Sequence, residues 1–174
     1  MSILKVARMG HPVLREKARP LDRAALRHPT LQLLIDDMID TMIEYHGVGL
    51  AAPQVHESVR IFVARLGPDD EETDGEPIVL VNPEIVPVGA ETIDGWEGCL
   101  SIPDIRGRVP RAREIVLRAL DRKGGRLELS LQDFPARVAQ HETDHLDGIL
   151  FFDRMRTFES LTFLDEYARY WAKD

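Results

Sequence analysis

The clearest alternation of apolar and polar positions runs from Thr30 to His46. There Leu31, Leu34, Ile35, Met38, Ile39, Met42 and Ile43 recur at helical spacing with acidic residues between them. The spacing predicts an amphipathic helix that stops where Gly47-Val48-Gly49 begins, and Gly49-Leu50-Ala51-Ala52-Pro53-Gln54 reads as small, tightly turning backbone. Shorter β-branched or alternating runs follow at 60–66, 78–82, 85–88, 114–120 and 126–131, with Lys123-Gly124-Gly125 as a hairpin turn between the last two. The acidic, apolar-poor stretch 67–75 predicts a solvated hairpin loop. Helical cues return at Asp133-Phe134-Pro135, with Asp133 as a cap, Pro135 in the first turn and Gly148 as the stop. A last segment places Leu161, Leu164, Ala168 and Trp171 at helical spacing, which predicts docking on the core.

Runs of strands followed by one helix, without βαβ alternation, predict an α+β fold in which antiparallel β-sheets pack around a central helix. At 174 residues and 44% apolar the chain has the size of one domain, 1–174, and carries no internal repeat. A net charge of −8 without a lysine or arginine stripe argues against nucleic-acid binding. One cysteine, Cys99, forms no internal disulfide, the segment Met1–Val6 has no signal-like apolar core, and no run is long enough to cross a bilayer. These features predict a soluble cytoplasmic protein with no membrane contact.

The predicted helix after Pro135 carries Gln140-His141-Glu142-Thr143-Asp144-His145. Imidazoles at i and i+4 share one helix face, so His141 and His145 can bind one metal ion, and Glu142 can take a proton from water on that ion. The pattern points to metal-assisted hydrolysis, and the third ligand decides its kind. A third histidine three residues beyond Gly148 is ruled out, because Phe151 stands there. Glu166, on the following helical segment, and the thiolate of Cys99, in Glu97-Gly98-Cys99-Leu100-Ser101, both remain open. Asp144 is placed to hold an arginine or to orient a ligand. His11, His28, His46 and His56 have no partner spacing and read as ordinary surface or loop histidines.

Three segments together, Gly47–Gln54, Glu97–Ser101 and Gln140–Leu146, resemble in order and spacing the motifs of bacterial-type peptide deformylases, a likeness that covers Val6 to Arg154. The resemblance implies removal of the formyl group, as formate, from N-formylmethionine at the start of new polypeptides. It implies Cys99, His141 and His145 as ligands of one divalent ion, ferrous iron foremost, with zinc, nickel or cobalt as alternatives in isolated protein. Glu142 would be the general acid and base, with Gln54 and the backbone N–H of Leu100 as oxyanion donors. Gly49 would offer backbone to the peptide, Val48, Phe134 and Val138 would line a methionine pocket, and Glu97 and Arg106 would pair near it. Some relatives dock at the ribosome through a basic C-terminal helix. From Phe158 to Asp174 this chain sets Glu159, Asp165, Glu166 and Asp174 against Arg169 and Lys173, which does not support that route.

Overall fold

The computed structural model describes residues 2–67 and 75–172. Helix α1 (Pro29–Glu44) forms where the apolar repeat predicts it, with Pro29 in its first turn and His28 Nδ1 accepting from the Thr30 N–H. Its inward stripe of Ile35, Met38 and Met42 is fully buried, whereas Ile43 points outward. The N-terminal segment is tied to this helix, because the Ser2 and Leu4 N–H groups donate to Asp37 Oδ1 and Thr41 Oγ1.

Five strands form one antiparallel sheet in the order β1 (Gly49–Ala51), β2 (Ile61–Ala64), β3 (Ile78–Pro87), β6 (Glu114–Leu120), β7 (Arg126–Gln132). Both faces are covered. Phe62, Leu80, Ile115 and Leu117 face one apolar layer, and Ile61, Val63 and Val81 face the other, which α1 closes. Burial on both faces explains why Ile61–Ala64 reads as continuously apolar. The two runs predicted at 78–82 and 85–88 are one strand, whose pairing with β6 shifts between Val81 and Glu84. The turn between β6 and β7 is as predicted, with Gly124 at φ +87° and Asp121 Oδ1 accepting from the Lys123 and Gly125 N–H groups. Of the acidic stretch 67–75, residues 68–74 lie outside the described part of the chain.

The strands of the second antiparallel sheet, β4 (Thr92–Cys99), β5 (Ile102–Ala112) and β8 (Thr162–Phe163), were not among the predicted runs, and neither was β1. Glycine and proline at 95, 98, 103, 107 and 110 dilute its alternation. Side chains of neighbouring elements fill the space beside two of these glycines: a Cβ at Gly95 would stand 2.7 Å from the Arg137 guanidinium, and one at Gly107 would stand 2.8 Å from Met155 Sδ.

Between the two sheets runs α2 (Asp133–Leu146), the central helix expected from the sequence. Its cap differs from expectation. Gln132 is the N-cap, without a side-chain bond, while Asp133 adopts φ +53° and accepts from Arg113. Gly148 follows the helix at φ +72°, where a Cβ would meet the Arg15 carbonyl at 2.6 Å. Because α2 is enclosed, its polar residues Arg137, His141, Glu142, Asp144 and His145 are buried with its alanines. Buried polar groups need partners, and this need organises the site.

The C-terminal segment departs from expectation. Helix α3 spans only Leu164–Tyr170, contains no buried residue, and follows the two-residue strand β8 on the edge of β5. It leans on Trp96 instead of docking on the core. No helix among the described residues is long and apolar enough to cross a membrane.

Candidate active site

The i, i+4 spacing on α2 sets the rings of His141 and His145 4.9 Å apart. Cys99 ends β4, beyond a register shift after Glu97, and its Sγ lies 3.2 Å from His145 Nε2. One ligand atom from each of Cys99, His141 and His145 falls within 4.8 Å of the others, and all three residues are buried. Burial pushes the Cys99 thiol up, yet the facing imidazoles of His145 and His141 hold it well below the usual thiol range. Burial likewise lowers His141, but Cys99 and Glu97 raise it well above the imidazole range. A thiolate and two imidazoles form a donor set suited to zinc or ferrous iron.

Glu142 sits beside this trio. It is 4% exposed, its Oε2 is buried without a hydrogen-bond partner among the described residues, and burial raises its pKa despite the charges of His141 and His145. An orphaned carboxylate oxygen next to three converging donors is what an ion carrying a water would satisfy, so these residues fit a divalent metal. Gly49 makes room for Glu142, since a Cβ there would stand 2.4 Å from Oε1.

A carboxylate backs His141. Nδ1 of His141 lies 2.9 Å from Glu97 Oε2. Glu97 accepts from Arg111 Nε at 2.8 Å, Arg111 Nη2 at 2.9 Å and Arg137 Nη1 at 2.8 Å. Burial raises Glu97, but the hydrogen bonds from Arg111 and His141 outweigh it and keep the carboxyl ionised far below its ordinary range. An ionised carboxylate only accepts, so the imidazole donates from Nδ1, which leaves Nε2 as the nitrogen that gives up its proton to take an ion. The expected pairing of Glu97 with Arg106 is therefore corrected. Gly107, Val109 and Arg111 share the inward face of β5, and its period of two sends Arg106 to the other face, across Gly98. Arg111 also binds Asp144, which Arg154 binds in turn, so Asp144 holds arginines.

Arg111 and Arg137 were missed by sequence reasoning. The signal was available for Arg137, which precedes His141 by four residues and so shares its buried face.

Gln54 is 2% exposed. Its Oε1 accepts from the Ala51 N–H at 2.8 Å, which aims Nε2 at Cys99 Sγ (3.5 Å) and Ser101 Oγ (3.2 Å). A cavity of about 780 Å³ opens here, and Val48, Gly49, Gln54, Glu97, Cys99, Leu100, Arg106, Phe134, Val138, His141 and Glu142 all line it. His145 is the one expected site residue outside its lining, buried behind Cys99. Glu166 is not part of the site: it lies on α3 and pairs with Arg169. The other four histidines are exposed, and His11 and His28 cap turns of helix.

The polypeptide deformylase family profile matches residues 3–160. The chain belongs to the polypeptide deformylase family. It is 41% identical to peptide deformylase 2 of Nostoc sp. over 99% of this chain and 97% of the relative. It is 47% identical to the peptide deformylase of Heliobacterium modesticaldum over 89% of this chain and 95% of the relative. Among solved structures it resembles the class I type b peptide deformylase from Acinetobacter baumannii bound to Met-Ala-Ser, with a TM-score of 0.81 and 42% identity over 88% of this chain and 99% of that one. The Thermotoga maritima enzyme gives a TM-score of 0.81 at 38% identity, covering 90% and 100%. As a deformylase, the protein is a metal-dependent hydrolase that removes the N-terminal formyl group of new polypeptides. The match ends before β8 and α3 begin.

Proposed function

We propose that Cys99, His141 and His145 hold one divalent ion, ferrous iron in the native enzyme, and that zinc, nickel or cobalt can replace it. When bound, such an ion lowers the pKa of a water toward roughly 7 and polarises the formyl oxygen. Glu142 accepts a proton from the attacking water and delivers it to the amine that leaves. Its raised pKa suits a group that must both take and give a proton. As the formyl carbon becomes tetrahedral, Gln54 Nε2 and the Leu100 N–H donate to the oxygen that gains charge. Gln54 is aimed in advance by the Ala51 N–H, so little reorganisation is needed. One such donor is typically worth about 2.7–4 kcal/mol of barrier. Gly49 offers backbone to the peptide, and Val48, Phe134 and Val138 receive the methionine side chain. Glu97 orients His141, and Arg106 lines the cleft.

The observation that carries this reading is Oε2 of Glu142, unpartnered among the described residues, in the cavity that Cys99 and His141 also line. Formate release from a formyl-Met peptide tests it. The ferrous protein should turn over, Glu142→Gln should lose at least about a hundredfold in kcat while keeping its metal, and equal rates in the two would overturn the assignment.

We further infer one catalytic unit over 1–174 acting on nascent chains in the cytoplasm, without direct nucleic-acid or membrane binding. Helix α3 carries Asp165 and Glu166 against Arg169 alone, so it lacks the positive face that ribosome docking through this segment would use.

A further inference from the structure

Residues 161–172 sit on the rim of the cleft. β8 extends the edge of β5 through the pairs Ile105↔Phe163 and Arg106↔Thr162, and Arg106 is itself a cleft residue. The chain then turns into α3, whose first residue, Leu164, lines the same cavity as Glu142. Trp96 lines that cavity too, and α3 grips it: Tyr167 meets its ring edge-on at 5.0 Å, and Trp171 lies at 5.9 Å. Seven residues are too few for a stable helix in isolation, so these contacts hold α3 in place.

The segment nevertheless leaves its apolar surface wet. Phe163 is 64% exposed, Tyr170 63%, Trp171 47% and Leu164 37%. Exposed large apolar side chains beside a cleft are candidates for binding what enters it. Of these, Leu164 lines the cavity of about 780 Å³ together with Trp96, against which Trp171 packs, and that volume is within the range of roughly 300–1,000 Å³ that encloses a drug-sized ligand. That volume admits more than the first residue of a peptide.

We propose that β8 and α3 are a specificity wall for the peptide downstream of its formylated residue. Leu164, Trp96 and Trp171 receive the side chains of the second and third residues and favour apolar ones. The inference rests on reading the cleft as the deformylase substrate site.

The two tryptophans of the chain are Trp96 and Trp171, so intrinsic tryptophan emission reports on this wall alone. With the metal-loaded full chain, kcat/KM for formyl-Met-Leu-Leu should exceed that for formyl-Met-Gly-Gly by about tenfold, the effect of half-burying a leucine side chain. The difference should lie in KM. Leu164→Asp and Trp171→Ala should each bring the ratio below about two, and Leu164→Met should keep it near ten. The product peptide Met-Leu-Leu should shift tryptophan emission where Met-Gly-Gly does not. Equal kcat/KM for the two peptides in the unaltered protein, or a ratio unmoved by both disruptive variants, overturns the wall and leaves the deformylase reading intact. A change of oligomeric state in Leu164→Asp with the ratio preserved also overturns it, and assigns the patch to a second copy. An emission shift specific to Met-Leu-Leu without formate release from either peptide supports the wall and overturns the catalytic reading.

Discussion

Glu97 and Arg111 meet at two points, 2.8 and 2.9 Å apart, with both side chains only 4% exposed. The pair lies directly behind His141, whose Nδ1 shares the same carboxylate. Removing one partner of a buried pair strands the other charge, at a cost of about 3–5 kcal/mol. Glu97→Gln should therefore lower the unfolding free energy by that order and weaken metal retention about 10–100-fold through loss of the His141 anchor. Urea unfolding and a metal-chelator competition measure the two effects, and a variant that kept both at the level of the unaltered protein would count against the orienting role.

The space at Gly49 sets a second expectation. A methyl group there would overlap Glu142 Oε1 at 2.4 Å, and the carboxylate would have to swing away from the cavity. Overpacking of this kind costs about 1–3 kcal/mol in stability, whereas misplacing a catalytic group by about 1 Å can cost on the order of a hundredfold in rate. Gly49→Ala should thus fold and bind metal while kcat falls by roughly two orders of magnitude. Formate release at saturating substrate, set beside the metal content of the same sample, checks it.

These two examples also show what could be read in the chain and what could not. Helix α1 was legible because it buries a face at the helical period, α2 because Pro135 and Gly148 mark its ends, and the β6–β7 turn because Asp121 and Gly124 supply its chemistry. The second sheet was not, since Gly95 and Gly107 serve the side chains of Arg137 and Met155 and so remove apolar residues from the strand pattern. The pairing of Glu97 depends on the same hidden strand. Only once β5 is known to alternate does Arg111, and not Arg106, turn inward. The expected docking of the last segment on the core failed because helical spacing records periodicity and not burial, and Leu161, Leu164 and Trp171 are exposed.

A third expectation concerns acid stability. Burial raises the pKa of Asp153, but hydrogen bonds from Arg15 and from the Leu150 N–H outweigh it and leave the carboxyl below its ordinary value of 3.8. A depressed folded-state pKa gives stability that is fully present above the unfolded-state value, roughly 3.9, and is lost as pH falls through the folded value. Asp153→Asn should therefore lower the urea midpoint at neutral pH and converge with the unaltered protein in strong acid. The effect should be small, because the side chains of Arg15 and Asp153 are 48% and 36% exposed and solvent screens the pair. A midpoint difference that grew as pH fell would contradict the sign.

The last expectation uses the single cysteine as its own reporter. Cys99 is the only thiol in the chain, so a thiol reagent reads one site. Its neighbours His145 and His141 hold it as a thiolate, the reactive form, and the cavity that it lines admits solvent. The ion engages the sulfur lone pair and displaces the proton that His141 holds, so loading should protect this sulfur while releasing that proton to solution. Chelator-stripped protein should accordingly take up one equivalent of reagent quickly, and the loaded protein should react at least about tenfold more slowly. Glu166→Gln should leave that protection in place, because Glu166 pairs with Arg169 on α3 and not with the histidines. Equal labelling rates with and without the ion would place the metal elsewhere and remove Cys99 from its ligands.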